Sequence, residues 1–354
     1  MEEKNFSDLD ANFKSQMIAN VRLNFHDGFT APAVLEGFPW LSPDGKRSRL
    51  PLDVAGECEQ AGVLPMSMQG AGEILRFRTD SDVIGIRARF SEVYVGDQRG
   101  GSTGFDLYSG RGYECRFHGN RVIPARTDCM DALYSGLPSG KFTEYSLYFP
   151  YHCATSAIEI GLRPGSRLME PEPHRITKPV VFYGSSITNC GAAGRPGLVY
   201  PAIIARYHDF PLINMGFSGS CRGELCIAET IGKLDLAALV IEFDHNAPDA
   251  AFLATRHEPF FKCFRALKPD VPVLMLSKAD FNRESDAPER REIIMRTWLN
   301  ALQNHDGKVD FLDGETLWAG PFRTECTQDG CHPNDFGAML MAERIGERLM
   351  KLIL

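Results

Sequence analysis

The sequence predicts an α/β protein in two parts. A strand-rich, jelly-roll-like β-sandwich spans residues 1–165, a linker spans 166–178, and a three-layer α/β/α domain spans 179–354. Three observations predict this: apolar residues alternate with period two before the linker, a Pro-rich charged segment interrupts the chain, and short apolar runs alternate with helical patterns after it.

In the first half, Leu75 and Phe77 alternate with Arg76 and Arg78, and Ile84, Ile86, Ala88 and Phe90 alternate with Gly85, Arg87 and Arg89. Thr79-Asp80-Ser81-Asp82 between them predicts a hairpin turn. The pattern returns at Tyr113, Cys115 and Phe117, at Tyr145, Leu147 and Phe149, and at Ile158, Ile160 and Leu162. Half-buried strands joined by Gly- and Ser-rich turns predict the sandwich, with no comparable helix after about residue 20. Arg163-Pro164-Gly165-Ser166-Arg167 and Glu170-Pro171-Glu172-Pro173 have linker composition.

The second half opens with Pro179-Val180-Val181-Phe182-Tyr183, a run that fits a strand buried on both faces. Leu212–Met215, Ala238–Ile241 and Val273–Leu276 repeat it. Helical spacing separates the runs, at Phe260, Phe261, Phe264 and Leu267 and again at Ile293, Ile294, Trp298 and Leu302. A last helix, capped by Asn334 or Asp335, carries Phe336, Leu340, Ile345, Leu349 and Leu352 on one face. Such sheets place their sites beyond the carboxyl ends of the strands.

Composition narrows the function. The 38 Lys+Arg against 46 Asp+Glu leave a net charge of −8, which gives no general attraction for nucleic acid or anionic lipid. No apolar stretch reaches the roughly 18 residues of a membrane span. The start, Met1-Glu2-Glu3-Lys4-Asn5-Phe6, lacks an apolar leader core. Ten cysteines without a CxxC pair read as reduced thiols of a cytoplasmic protein, with no structural zinc site; a homo-oligomer stays open.

Chemistry concentrates after the apolar runs. Gly184-Ser185-Ser186-Ile187-Thr188 follows the first, Asn214-Met215-Gly216-Phe217-Ser218-Gly219 ends the second, and Glu242-Phe243-Asp244-His245-Asn246 ends the third. None is a P-loop, a dinucleotide fingerprint or a GxSxG elbow. Before the last helix stands Asp329-Gly330-Cys331-His332. An Asp three residues ahead of a His can fix its tautomer and stabilise its charged form, as a general base requires; a turn-capping Asp beside a surface His is the alternative. His245, behind Glu242, is a second candidate base, set aside because Glu242 is expected to lie inside its strand and point away.

These four segments resemble, in order and spacing, the blocks of the SGNH (GDSL) hydrolases. Gly184–Thr188 is similar to the GDSxT block, with Ser185 in place of the usual Asp, and implies Ser186 as nucleophile. Gly219 matches the oxyanion glycine of the second block. Asn246 falls where the third supplies its asparagine, although Asp244-His245-Asn246-Ala247 departs from GxND. Asp329 and His332 match the DxxH of the last. Gly104-Phe105-Asp106-Leu107-Tyr108 resembles the GxDLY signature of a β-rich domain that precedes some of these enzymes.

The resemblance implies a flavodoxin-like catalytic domain and a serine esterase without cofactor or metal. Ser186, His332 and Asp329 would be catalytic, and Ser186, Gly219 and Asn246 would form the oxyanion hole. Arg195, beside the nucleophile loop, is a candidate substrate contact. The implied substrate is a short-chain, foremost acetyl, ester of a carbohydrate or small glycoside. Acyl transfer to a small-molecule hydroxyl and non-catalytic glycan binding are the alternatives.

Overall fold

The computed structural model describes residues 16–96, 98–279 and 285–354. The reading of Met1–Phe6 falls outside the described residues.

Beside two two-stranded ribbons, Met17–Ile18 with Val21–Arg22 and Trp40–Leu41 with Arg47–Ser48, two large antiparallel sheets dominate the first half. One runs in the order Arg116–Val122, Gly104–Ser109, Thr143–Tyr148, Ile74–Thr79 and Leu168–Met169, with Val34–Glu36 also paired to Ile74–Thr79. The other runs Cys129–Ser135, Val83–Val93, Cys153–Leu162 and Asn24–Asp27. Alternation drives the pairing: Leu75, Phe77, Leu107 and Leu147 of the first sheet share one core with Ile84, Ile86, Ile158 and Ile160 of the second.

Three expectations need correction. Thr79–Asp82 is not a hairpin turn, because the strands on either side belong to different sheets. Ser81, 1% exposed, turns the chain across the core by bonding to the Val83 carbonyl and accepting the Arg163 N–H. Local turn chemistry is the same for a hairpin and for this arch, so the sequence could not separate them. Tyr113 and Cys115 are not in a strand. Gly112, at φ +56°, opens a 3₁₀ turn over Gly112–Glu114, and the strand begins only at Arg116. Helices also interrupt the first half, at Leu52–Glu57, Val63–Ser67 and Arg99–Ser102. The first two do not belong to the sandwich. Leu50, Ala55 and Val63 pack into the core on one face of the parallel sheet in the second half of the chain, whose apolar surface they help cover.

The sheet of the second half is parallel and five-stranded, in the order Leu212–Gly216, Val180–Gly184, Ala238–Glu242, Val273–Leu276 and Val309–Leu312. Its faces are covered separately. Val180 and Phe182 point into a core with Ile203, Met341 and Ile345, while Val181 and Tyr183 point into another with Ile227, Phe260 and Phe264. Val309–Leu312 was not foreseen; only its first residue is buried, so its pattern is weak. The last helix runs Asp335–Ile353, and Asn334 is its cap, accepting Gly337 N–H at 3.0 Å. Phe336, placed on the buried face by its spacing, is exposed.

This strand order reverses direction between the first and third strands of the sheet, which opens a crevice at their carboxyl ends. Ser185 and Ser186 stand there, with Glu242 beside them in register with Gly184.

Candidate active site

Ser186 is the first residue of a short helix, Ser186–Asn189, that begins where the first parallel strand stops. Ser185 caps it, its Oγ accepting Ile187 N–H at 3.1 Å. Being first, Ser186 N–H has no acceptor within the helix. The turn is braced from behind by Arg49, which is fully buried. Its guanidinium donates to the carbonyls of Asn214 (2.8 Å) and Gly216 (3.0 Å) and to Asn189 Oδ1 (3.1 Å). Asn214 Nδ2 then donates to Thr188 O at 2.8 Å, so the second motif holds the first in place.

The His332 loop is tied to the same turn. Ala192 N–H, just after the short helix, donates to Pro333 O at 2.8 Å, and Gln328 N–H closes the loop on His332 O at 3.1 Å. His332 Nε2 thereby sits 2.8 Å from Ser186 Oγ. Its Nδ1 sits 2.7 Å from Asp329 Oδ2. The Asp329 carboxylate fixes the proton on Nδ1 and leaves the Nε2 lone pair facing the serine hydroxyl. Its other oxygen accepts the backbone N–H groups of His332 (2.7 Å) and Cys331 (2.9 Å). Turn capping and imidazole orientation therefore coexist in one carboxylate. Burial would raise Asp329, but these three hydrogen bonds and the imidazole outweigh it and hold the carboxyl down at about 2.

Ser186, Asp329 and His332 line one cleft of about 570 Å³, whose far wall includes Tyr94, Tyr151 and His152 from the strand-rich half. Gln98 Nε2 spans it to Gln328 Oε1 at 2.7 Å. His152 was not singled out by sequence. Its imidazole lies 3.5 Å from Cys190 Sγ, and burial, reinforced by the Arg49 charge, pushes it down to about 4, so it is neutral. Burial likewise pushes the Cys190 thiol up to about 12, against the pull of Asn189 and Arg49, so no thiolate competes with Ser186. All ten cysteines are free thiols.

The remaining expected site residues divide. Gly219 has φ +67°, a left-handed turn that favours glycine, and its neighbour Ser218 lines the cleft. Asn246 Oδ1 accepts Cys221 N–H at 3.1 Å, which ties it to the Gly219 loop and leaves its Nδ2 as donor. Arg195 is drawn away from the cleft to Asp106 and Tyr108 of the strand-rich half. Glu242 does not point away from His245: Oε1 is 3.0 Å from its Nδ1. That imidazole is also 3.2 Å from Asp244 Oδ1, while Ser186 Oγ is met by His332. Glu242, Asp244 and His245 are the grouping of metal-ligand type found among the described residues, yet the Glu242 oxygens already accept from Ser185 and Thr188.

The family description GDSL-like lipase/acylhydrolase matches residues 177–350, and the N-terminus of SGNH-hydrolase-type esterases, GxDLY, matches residues 23–168. The chain belongs to the GDSL-like lipase/acylhydrolase family, in the two-domain form with a GxDLY N-terminus. It is thus a hydrolase of ester bonds. No curated protein matches it. Among solved structures, a GDSL-like lipase from Bacteroides ovatus ATCC 8483 is 23% identical with TM-score 0.82, over 94% of this chain and 98% of that one. The salicylyl-acyltransferase SsfX3 of a tetracycline biosynthetic pathway is 18% identical (TM-score 0.77; 93% and 97% covered). A family two carbohydrate esterase from Cellvibrio japonicus is 10% identical (TM-score 0.62; 94% and 98% covered). Their agreement over both halves is agreement in fold.

Proposed function

We propose that this GDSL-like enzyme is a serine esterase that removes short acyl groups, foremost acetyl, from a carbohydrate or small glycoside. The observation that carries this reading is the chain Ser186 Oγ–His332 Nε2 (2.8 Å) and His332 Nδ1–Asp329 Oδ2 (2.7 Å). Ser186 Oγ attacks the ester carbonyl while His332 takes its proton, and Asp329 stabilises the imidazolium. The tetrahedral oxyanion is held by the N–H groups of Ser186 and Gly219 and the Asn246 side-chain amide, each worth about 3–4 kcal/mol of barrier when fixed in advance. His332 returns the proton to the leaving alcohol, and the acyl group stays on Ser186. Water then attacks the acyl-enzyme, with His332 again taking and returning the proton, so that acid and free enzyme result.

Hydrolysis is favoured over transfer by access. The His332 and Asp329 side chains are 34% and 49% exposed, so water reaches the acyl-enzyme directly. The carbohydrate assignment is supported by the neighbouring carbohydrate esterase and by the aromatic and amide groups of Tyr94, Tyr151, Gln69 and Gln98 along the cleft. The ten free thiols favour a reducing compartment, the cytoplasm.

A fluorophosphonate probe should form an adduct on Ser186, and Ser186→Ala should lose both labelling and hydrolysis while keeping its melting temperature. A hydrolytically active Ser186→Ala protein overturns the reading. Acyl-sugar and p-nitrophenyl esters of rising chain length should show preference for acetyl, and activity rising with chain length refutes the acyl assignment.

A further inference from the structure

Beneath the nucleophile turn lies a carboxylate that the mechanism above does not use. Glu242, the last residue of the neighbouring strand, is 3% exposed. Ser185 Oγ donates to it, 3.0 Å from both carboxylate oxygens. Oε2 also accepts Ser185 N–H at 3.2 Å and Thr188 Oγ–H at 2.7 Å. The main chain adds a parallel tie, Ser185 N–H to Glu242 O at 2.9 Å. A Cβ on Gly184 would come within 2.7 Å of Oε2, so the carboxylate fills the space that a side chain there would need. Groups on both sides of Ser186 thus converge on Glu242.

We infer that Glu242 is a positioning residue for the Ser186 nucleophile, and that Ser185 is its matched partner. The GDSxT form of this block carries its acid on the turn itself, immediately before the nucleophile. In this chain the acid comes from the adjacent strand, and the turn offers a hydroxyl to receive it. The Ser185 hydroxyl serves two ends at once: its hydrogen goes to Glu242, and its oxygen caps the helix by accepting Ile187 N–H. An Asp at 185 would instead set two carboxylates about 3 Å apart, where both cannot stay ionised.

Glu242 touches neither substrate nor the reacting atoms. It acts by holding the Ser186 turn, and a displacement of about 1 Å in a reacting group can cost about 10²-fold in rate. The effect therefore belongs in kcat and not in KM. It also belongs to each correctly folded molecule, not to the fraction that folds.

The inference rests on Ser186 being the nucleophile. If the parent protein takes no fluorophosphonate on Ser186, that reading fails first and this one falls with it. With labelling established, the experiment is a four-member cycle: parent, E242A, S185D and the double variant E242A/S185D. Each is assayed on p-nitrophenyl acetate, with kcat expressed per fluorophosphonate-titrated site and the melting temperature recorded beside it. E242A should lower kcat at least tenfold with KM within twofold. S185D alone should also lower kcat, because it opposes Glu242. The double variant, with its acid restored to the turn, should recover kcat at least fivefold over E242A. A double variant that regains melting temperature but not kcat shows that an acid at the turn does not position Ser186 and overturns the inference. So does E242A with kcat per titrated site within threefold of the parent. Should E242A not fold, S185A removes only the hydroxyl that faces Glu242, and kcat unchanged in S185A overturns the inference equally.

Discussion

Arg195 Nη1 lies 2.9 Å from Asp106 Oδ2, across the junction between the strand-rich half and the parallel-sheet half. Asp106 is fully buried. Its Oδ2 also accepts Gly197 N–H at 2.9 Å, and Oδ1 accepts Asn120 Nδ2 at 2.8 Å. Arg195 in turn donates to Tyr108 OH and covers the Phe117 ring at 3.8 Å. Asp106 and Tyr108 are the Asp and Tyr of the Gly104–Tyr108 motif, so that motif docks the loop following the nucleophile helix onto the sandwich.

The pair predicts an asymmetry. Burial raises the Asp106 carboxyl more than Arg195, Asn120 and Gly197 bring it down, so the acid is the costlier member to leave alone. Breaking a buried pair by removing one partner costs about 3–5 kcal/mol. Arg195→Ala, which strands a buried carboxylate, should sit at the upper end. Asp106→Asn, whose amide oxygen can keep the Gly197 and Arg195 donors while its NH₂ faces Asn120 Nδ2, strands only a partly exposed cation and should sit at or below the lower end. Urea denaturation midpoints check the order, and equal losses contradict it.

Asp329→Asn should spare the fold and damage the chemistry. An amide can still accept from the backbone N–H groups of His332 and Cys331, but it turns NH₂ toward Nδ1. The imidazole then protonates on Nε2 and presents a donor to Ser186. A loss of about 10²–10⁴-fold in kcat is expected, smaller than that of Ser186→Ala. Activity within threefold of the parent would show His332 working as half of a dyad, oriented by some other group.

The pH profile gives an independent check. Asp329 is depressed to about 2, so it stays ionised across the mildly acid and neutral range of an activity assay. Activity should therefore fall on the acid side with unit slope in a plot of log(kcat/KM) against pH. A slope of two would mean that Asp329 is protonated within the assay range as well, against its depressed value.

Much of this was legible in the sequence because four of the five parallel strands are largely apolar runs and three of them end in a polar motif. Asp329 and His332 stand out locally, as an Asp three residues before a His, whereas Ser186 was named only through the resemblance of Gly184–Thr188 to the GDSxT block. Glu242 was misread because it was treated as an interior strand residue, whereas it stands at the strand's end opposite Gly184, which has no side chain to block it. Arg49 was missed for the opposite reason. Within Lys46-Arg47-Ser48-Arg49 it looks like part of a solvated charged run, and only the fold brings the Asn214 and Gly216 carbonyls to meet it. Arg195 was placed at the substrate by its closeness in sequence to the nucleophile, but its partner, Asp106, is far away along the chain.

Glu73 supplies a stability prediction unconnected with the chemistry. It is 1% exposed, and neither carboxylate oxygen has a hydrogen-bond partner among the described residues. Arg47 Nε comes only to 3.8 Å. Burial therefore dominates over the Arg47 and Arg49 charges and raises the carboxyl from 4.5 to about 8. Between those values the folded protein holds a proton that the unfolded chain has released. The resulting stability is fully present below pH 4.5 and is lost as pH rises toward 8, at no more than about 1.4 kcal/mol per pH unit. Glu73→Gln is neutral at every pH and removes this dependence. Its unfolding free energy, measured in urea from pH 5 to pH 8.5, should fall less steeply than the parent's, and the two proteins should differ most at the alkaline end. Parallel curves would mean that Glu73 is already ionised in the folded state, with Arg47 closing on it.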